Sequence, residues 1–134
     1  MVDSIFTRII KGEFPCYKIY EDDLTIAFLD LHPIQPGHTL VIPKKQVDQL
    51  WDLPGEDYSH LMEMTKKIAL RLREVLNASR VGIQVIGIHV PHAHVQLIPF
   101  DTAEEFYTKP DMNIAADDRS LAIMAAKLTL MDNR

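Results

Sequence analysis

Residues 92–97 read His-Ala-His-Val-Gln-Leu, an alternation of polar and apolar side chains. A β-strand sends residues i, i+2 and i+4 to one face and the intervening residues to the other. On that period His92, His94 and Gln96 share one side, and Ala93, Val95 and Leu97 share the other. Such a segment folds as a half-buried strand, its apolar face in a core and its polar face toward solvent or a pocket. Imidazole is the side chain whose ordinary pKa lies near neutrality, so the polar face can attack, accept or donate a proton.

Three uses of the histidines are open on spacing alone: a solvent face, a zinc site, or an active-site strand. Structural zinc takes four ligands. Cys16 is the single cysteine and no Cys-x-x-C occurs, so no metal or other cofactor is expected. One cysteine also rules out an internal disulfide, in keeping with a cytoplasmic protein. A net charge of −5 argues against non-specific nucleic-acid binding, which relies on basic patches. No apolar run approaches the ~20 residues needed to cross a bilayer, and Met1–Arg8 reads as no secretory leader, so no membrane partner is expected. With 134 residues, 47% hydrophobic and 25% charged, the chain reads as one globular domain over 1–134.

Apolar residues at 5, 6, 9 and 10 predict a short helix, with Asp3 or Ser4 as N-cap and Gly12 as the stop. Residues 17–21 and 24–30 read as a hairpin, and 39–43 as a buried strand after a loop rich in proline and glycine. From Leu53 to Leu76, apolar residues follow the 3.6 period over five turns, with Glu56 and Asp57 at the positive end of the helix dipole. Residues 81–86 and 92–98 read as antiparallel neighbours. Residues 101–113 read as a surface excursion with one helical turn at 102–106, and Asp117 or Asp118 caps a last helix. Strands joined by hairpins, with helices set apart, predict an α+β fold with about five antiparallel strands.

The stretch His92-Ala-His94-Val-Gln96-Leu-Ile resembles the motif of the histidine-triad (HIT) superfamily, His-φ-His-φ-His-φ-φ with φ apolar. Ser4–Glu13, Tyr20–Asp23, Ala27–Pro33 and Gly37–Lys45 are similar to the opening of its Hint branch, in the same order. The resemblance covers about residues 4–100, a HIT-like core; 101–134 is an extension without a matching motif.

The resemblance implies a hydrolase of nucleoside phosphoramidates or related nucleotides acting through a covalent nucleotidyl-histidine. His94 matches the nucleophile and His92 the histidine that orients the site. Asp30 matches the acid that binds ribose. Ile5, Phe6, Ile9, Ile26 and Phe28 stand where the base pocket is built, which makes a purine nucleotide the expected substrate. Hint-type proteins are homodimers, and a homodimer is expected here.

Three departures qualify this. Gln96 replaces the third histidine; it can donate a hydrogen bond to a phosphate oxygen but carries neither proton nor charge. His-x-His-x-Gln is similar to the nucleotidyltransferase and phosphorylase branches, so transfer to phosphate stays open, as does a non-catalytic nucleotide-binding module. The loop before the motif is short, and His89, three residues before His92, is open to two readings: a general acid for the leaving group or a solvent-facing loop histidine. Gln46 replaces a histidine and has no assigned role.

Overall fold

Alternating side chains give the central sheet two buried faces. In the computed structural model, which describes residues 2–130, strands β1 (Lys18–Glu21), β2 (Thr25–Leu29), β3 (Thr39–Pro43), β4 (Arg80–Gln84) and β5 (Val95–Phe100) form one antiparallel sheet in the order β1-β2-β3-β5-β4. Ala27, Leu29, Val41, Val95 and Leu97 enter one core. It is completed by Leu61, Ile68 and Leu72 of helix α2 (Gly55–Leu76) and by Leu121, Ala125 and Leu128 of helix α4 (Asp118–Leu128). Ile26, Phe28, Leu40 and Ile42 point the other way and meet Phe6 of helix α1 (Ile5–Ile10). The interior strands β2 and β3 are therefore buried throughout, which is why their sequences read as apolar runs. The fold is α+β.

Each helix ends where its sequence dictates. Ser4 caps α1 by accepting from the Thr7 amide at 3.0 Å. Asn77 closes α2 in the left-handed conformation, a role its short polar side chain tolerates. Full burial of Leu61, Ile68 and Leu72 contributes roughly 1.5–3 kcal/mol each. Thr102 and Glu105 form a capping box around helix α3 (Ala103–Phe106), and Asp117 caps α4.

Several boundaries differ from the sequence reading, and three of the differences have a plain physical reading. Helix α2 begins at Gly55 instead of Leu53, because Leu50–Asp52 forms a 3-10 turn and Pro54 takes the cap position. Strand β4 stops at Gln84, leaving Val85 and Ile86 in a longer connection. Strand β5 begins only at Val95, so His92 and His94 precede the strand. Extending the β3–β5 register sets Ala93 opposite Pro43, which has no N–H to give; the Ala93 amide donates instead to Val47 O at 2.7 Å. The alternation of faces survives without the ladder: Ala93 enters the α2 core, while His92 and His94 both pack edge-on against Phe6 of α1.

Candidate active site

The hydrogen bonds around His94 decide which nitrogen carries its proton. His94 Nδ1 lies 2.9 Å from the backbone oxygen of His92. A carbonyl only accepts, so Nδ1 bears the hydrogen and Nε2 keeps its lone pair. Phe6 packs edge-on against the ring, with centroids 4.9 Å apart.

His92 supports that carbonyl from beneath. Its Nε2–H donates to Pro43 O at 2.8 Å, and its Nδ1 accepts from Ser4 Oγ at 2.7 Å. The ring is fully buried, and burial holds it below the ordinary imidazole value, with His94 adding to the effect. Ser4 therefore both caps α1 and fixes His92. Gln46 ties this corner together: its Oε1 accepts from the Ser4 amide at 2.8 Å and from Thr7 Oγ1 at 2.6 Å, while its Nε2 donates to Val2 O at 2.7 Å. That is the structural role of Gln46.

Gln96 is held by two residues that sequence reasoning missed. His38 Nε2 lies 3.0 Å from Gln96 Oε1, and Gln84 Nε2 lies 3.3 Å from the same oxygen. The other ring nitrogen of His38 accepts from the Ile34 amide at 3.0 Å. Burial lowers the His38 pKa, opposed by Asp30 and by the Gln96 hydrogen bond. His38 falls within the Gly37–Lys45 stretch that carries the resemblance, but nothing in its local sequence assigns it a role. Only the pairing of β3 with β5, and of Gln84 with Gln96 across β4 and β5, brings the three together.

Asp30 follows β2 at the mouth of the site. Its Oδ1 accepts from the His32 amide at 2.7 Å, and Oδ2 lies 3.7 Å from His38 Nε2. Asp30 lines the cavity of the site.

These groups surround a cavity of about 520 Å³, within the range that holds a nucleotide-sized ligand. His94, Gln96, His89, Asp30, Phe6, Phe28, Ile5 and Ile9 all line it. Two expected residues do not: Ile26 is buried in the α1 core, and His92 lies behind His94, a support and not a wall. Cys16, Pro110 and Met112 join the lining, the last two from the C-terminal extension, which is pinned by a 2.8 Å bond from the Ala116 amide to Leu31 O. Four of the six histidines line the cavity, yet among its described lining there is no lysine or arginine, and Asp30 is its one carboxylate. No group of three or more His, Cys, Asp or Glu among the described residues is placed to hold a metal ion. No described helix is long and apolar enough to cross a membrane.

A histidine at the wall of an apolar cavity, a second histidine buried behind it, and one carboxylate in the lining define a class. Residues 11–103 match the HIT domain family, and the chain belongs to it. It is 39% identical over 106 residues to an uncharacterized HIT-like protein of Borreliella burgdorferi, covering 74% of this chain and 76% of that one. It is 34% identical over 99 residues to the adenosine 5'-monophosphoramidase of Schizosaccharomyces pombe, covering 73% and 74%. A Hit-like protein involved in cell-cycle regulation from Bartonella henselae superposes with a TM-score of 0.83 at 31% identity, over 94% of this chain and 93% of that one.

Proposed function

We propose that the protein hydrolyses nucleoside phosphoramidates through a covalent nucleotidyl intermediate on His94. The observation that carries this is the His94 Nδ1–H bond to the His92 carbonyl, which leaves a nucleophilic Nε2 at the wall of the cavity. In the first step the Nε2 lone pair attacks the α-phosphorus. The bond from phosphorus to the leaving amine breaks, and the amine takes a proton, for which His89 stands at the cavity wall. In the second step water attacks the phosphorus and gives up a proton to His89, which recovers the one it lost in the first step. The bond to Nε2 breaks, releasing nucleoside monophosphate and restoring the neutral ring. The positive charge that His94 gains in the intermediate is stabilised by the His92 carbonyl against Nδ1–H.

Asp30 Oδ2 accepts from the ribose hydroxyls, and the base enters between Phe6, Ile9 and Phe28. The absence of lysine and arginine from the described lining favours a singly charged phosphoramidate over a polyphosphate, whose charge would enter beside Asp30 without a fixed cation. The relative named as an adenosine 5'-monophosphoramidase supports an adenosine substrate.

Intact-protein mass spectrometry after mixing with adenosine phosphoramidate tests this. A transient adduct of one adenylyl group with release of adenosine monophosphate is the expected result. Absence of both adduct and product would overturn it, and a nucleoside diphosphate formed on adding inorganic phosphate would assign the chain to the transferase reading.

The exposed side of β4 supports the expected homodimer. This is an outer strand, and Ile83, Val85, Ile86 and Ile88 lie exposed along and beyond it. An open strand edge beside exposed apolar side chains favours pairing with a second copy. Light scattering at the mass of one chain would refute the dimer.

A further inference from the structure

We propose that Gln84 is a positioning residue which, with His38, holds the Gln96 carboxamide in one orientation, oxygen toward the protein and N–H toward the substrate phosphate. This rests on the hydrolase reading and says how that site replaces a third histidine. A carboxamide has two ends of equal size, one accepting and one donating, so packing alone does not choose between them. Hydrogen bonds choose here.

A backbone amide fixes the proton of His38. The Ile34 N–H can only donate, and it points at His38 Nδ1 from 3.0 Å. A proton on Nδ1 would oppose that N–H in either the neutral or the charged ring, and the charged ring would also be buried at 2% exposure. The single proton of His38 therefore sits on Nε2. Nε2–H faces the Gln96 side chain at 3.0 Å, so the end it meets must be the oxygen. Gln84 adds a second donor to the same oxygen at 3.3 Å, from the residue directly opposite in the β4–β5 ladder. Turned around, Gln96 would set its N–H groups against His38 Nε2–H, whose direction the loop amide locks. With both donors behind the oxygen, the two N–H groups of Gln96 are the end left for the cavity. A phosphate donor made this way needs no protonation at any pH.

The test is a double-mutant cycle with a spectroscopic check. Single-turnover rates with adenosine phosphoramidate are compared for wild type, Gln84→Leu and Gln84→Glu, each also with Gln96→Ala. Gln84→Leu removes one neutral donor and should slow the reaction about threefold. Gln84→Glu sets an acceptor against the Gln96 oxygen and should cost about tenfold. Both effects should shrink to less than about twofold once Gln96 is alanine, because the cycle isolates their coupling. The same loss in both backgrounds would overturn the proposal, since Gln84 would then act without Gln96. Histidine ¹⁵N spectra give the activity-independent arm: His38 should carry its proton on Nε2 alone, and a proton on Nδ1 would overturn the orientation. A wild type that forms no adduct or product defeats the hydrolase reading instead, and the ¹⁵N result then decides the orientation by itself.

Discussion

His94 Nδ1 donates to the backbone oxygen of His92 at 2.9 Å, so a residue two positions earlier in the chain sets the tautomer of the nucleophile. His92 can do this because its own ring is clamped at both nitrogens, by Ser4 Oγ and by Pro43 O. His94→Ala removes the attacking atom and should slow release of adenosine monophosphate by at least about a thousandfold. The adenylyl adduct should be absent from its mass spectrum.

Gln96→Glu keeps an oxygen for His38 and Gln84 but removes both N–H groups and adds a negative charge beside the phosphate. Turnover should fall by about a hundredfold or more. Steady-state kinetics at neutral pH measure this, and a rate within a few-fold of wild type would contradict the donor role of Gln96.

Asp30→Ala should raise KM for adenosine phosphoramidate by about tenfold, the loss of a charge-assisted hydrogen bond, with a smaller change in kcat. Wild type should discriminate against a 2',3'-dideoxy substrate, and the variant should not. Equal discrimination by both would remove Asp30 from ribose binding.

Stability should depend on pH in two windows. Burial lowers both His38 and His92 from 6.5, so below that value the unfolded chain binds protons that the folded chain refuses. Stability therefore rises with pH between the lowered folded values and 6.5, and is lost as pH falls through that range. Asp22 adds a second window. Burial pushes its carboxyl up, but hydrogen bonds from Tyr20, the Leu24 and Thr25 amides and His60 outweigh this and hold it at about 2 against 3.8. That contribution is complete above 3.8 and is lost as pH falls toward 2. Urea midpoints at about pH 7.5 and pH 5.5 should differ, the lower pH giving the lower midpoint.

Gly37→Ala should destabilise the fold and disturb the site together. Gly37 has φ of +92°, and a Cβ there would stand 2.6 Å from Leu76 Cδ1. The strain and the clash should cost roughly 1–3 kcal/mol, read from thermal or urea unfolding. His38 is the next residue, so kcat should fall as well.

The sequence by itself determined the elements and the faces they show, because both follow from local periods. Alternation placed Ala93, Val95 and Leu97 in the α2 core, and the 3.6 spacing placed Leu61, Ile68 and Leu72 against them. It also brought His94, Gln96, Asp30 and Phe6 together through the family resemblance, and the cavity contains all four. It misplaced Ile26, because an apolar strand residue looks the same whether it lines a pocket or fills a core. The tertiary structure alone decided the partners. His38 and Gln84 lie 58 and 12 residues from Gln96 in sequence, and they meet it only through sheet pairing. Gln46 reaches the cap of α1 from 42 residues away. Hydrogen-bond direction, and with it the tautomer of each histidine and the orientation of Gln96, depends on which donor stands opposite which acceptor. Local periods carry no record of such distant contacts.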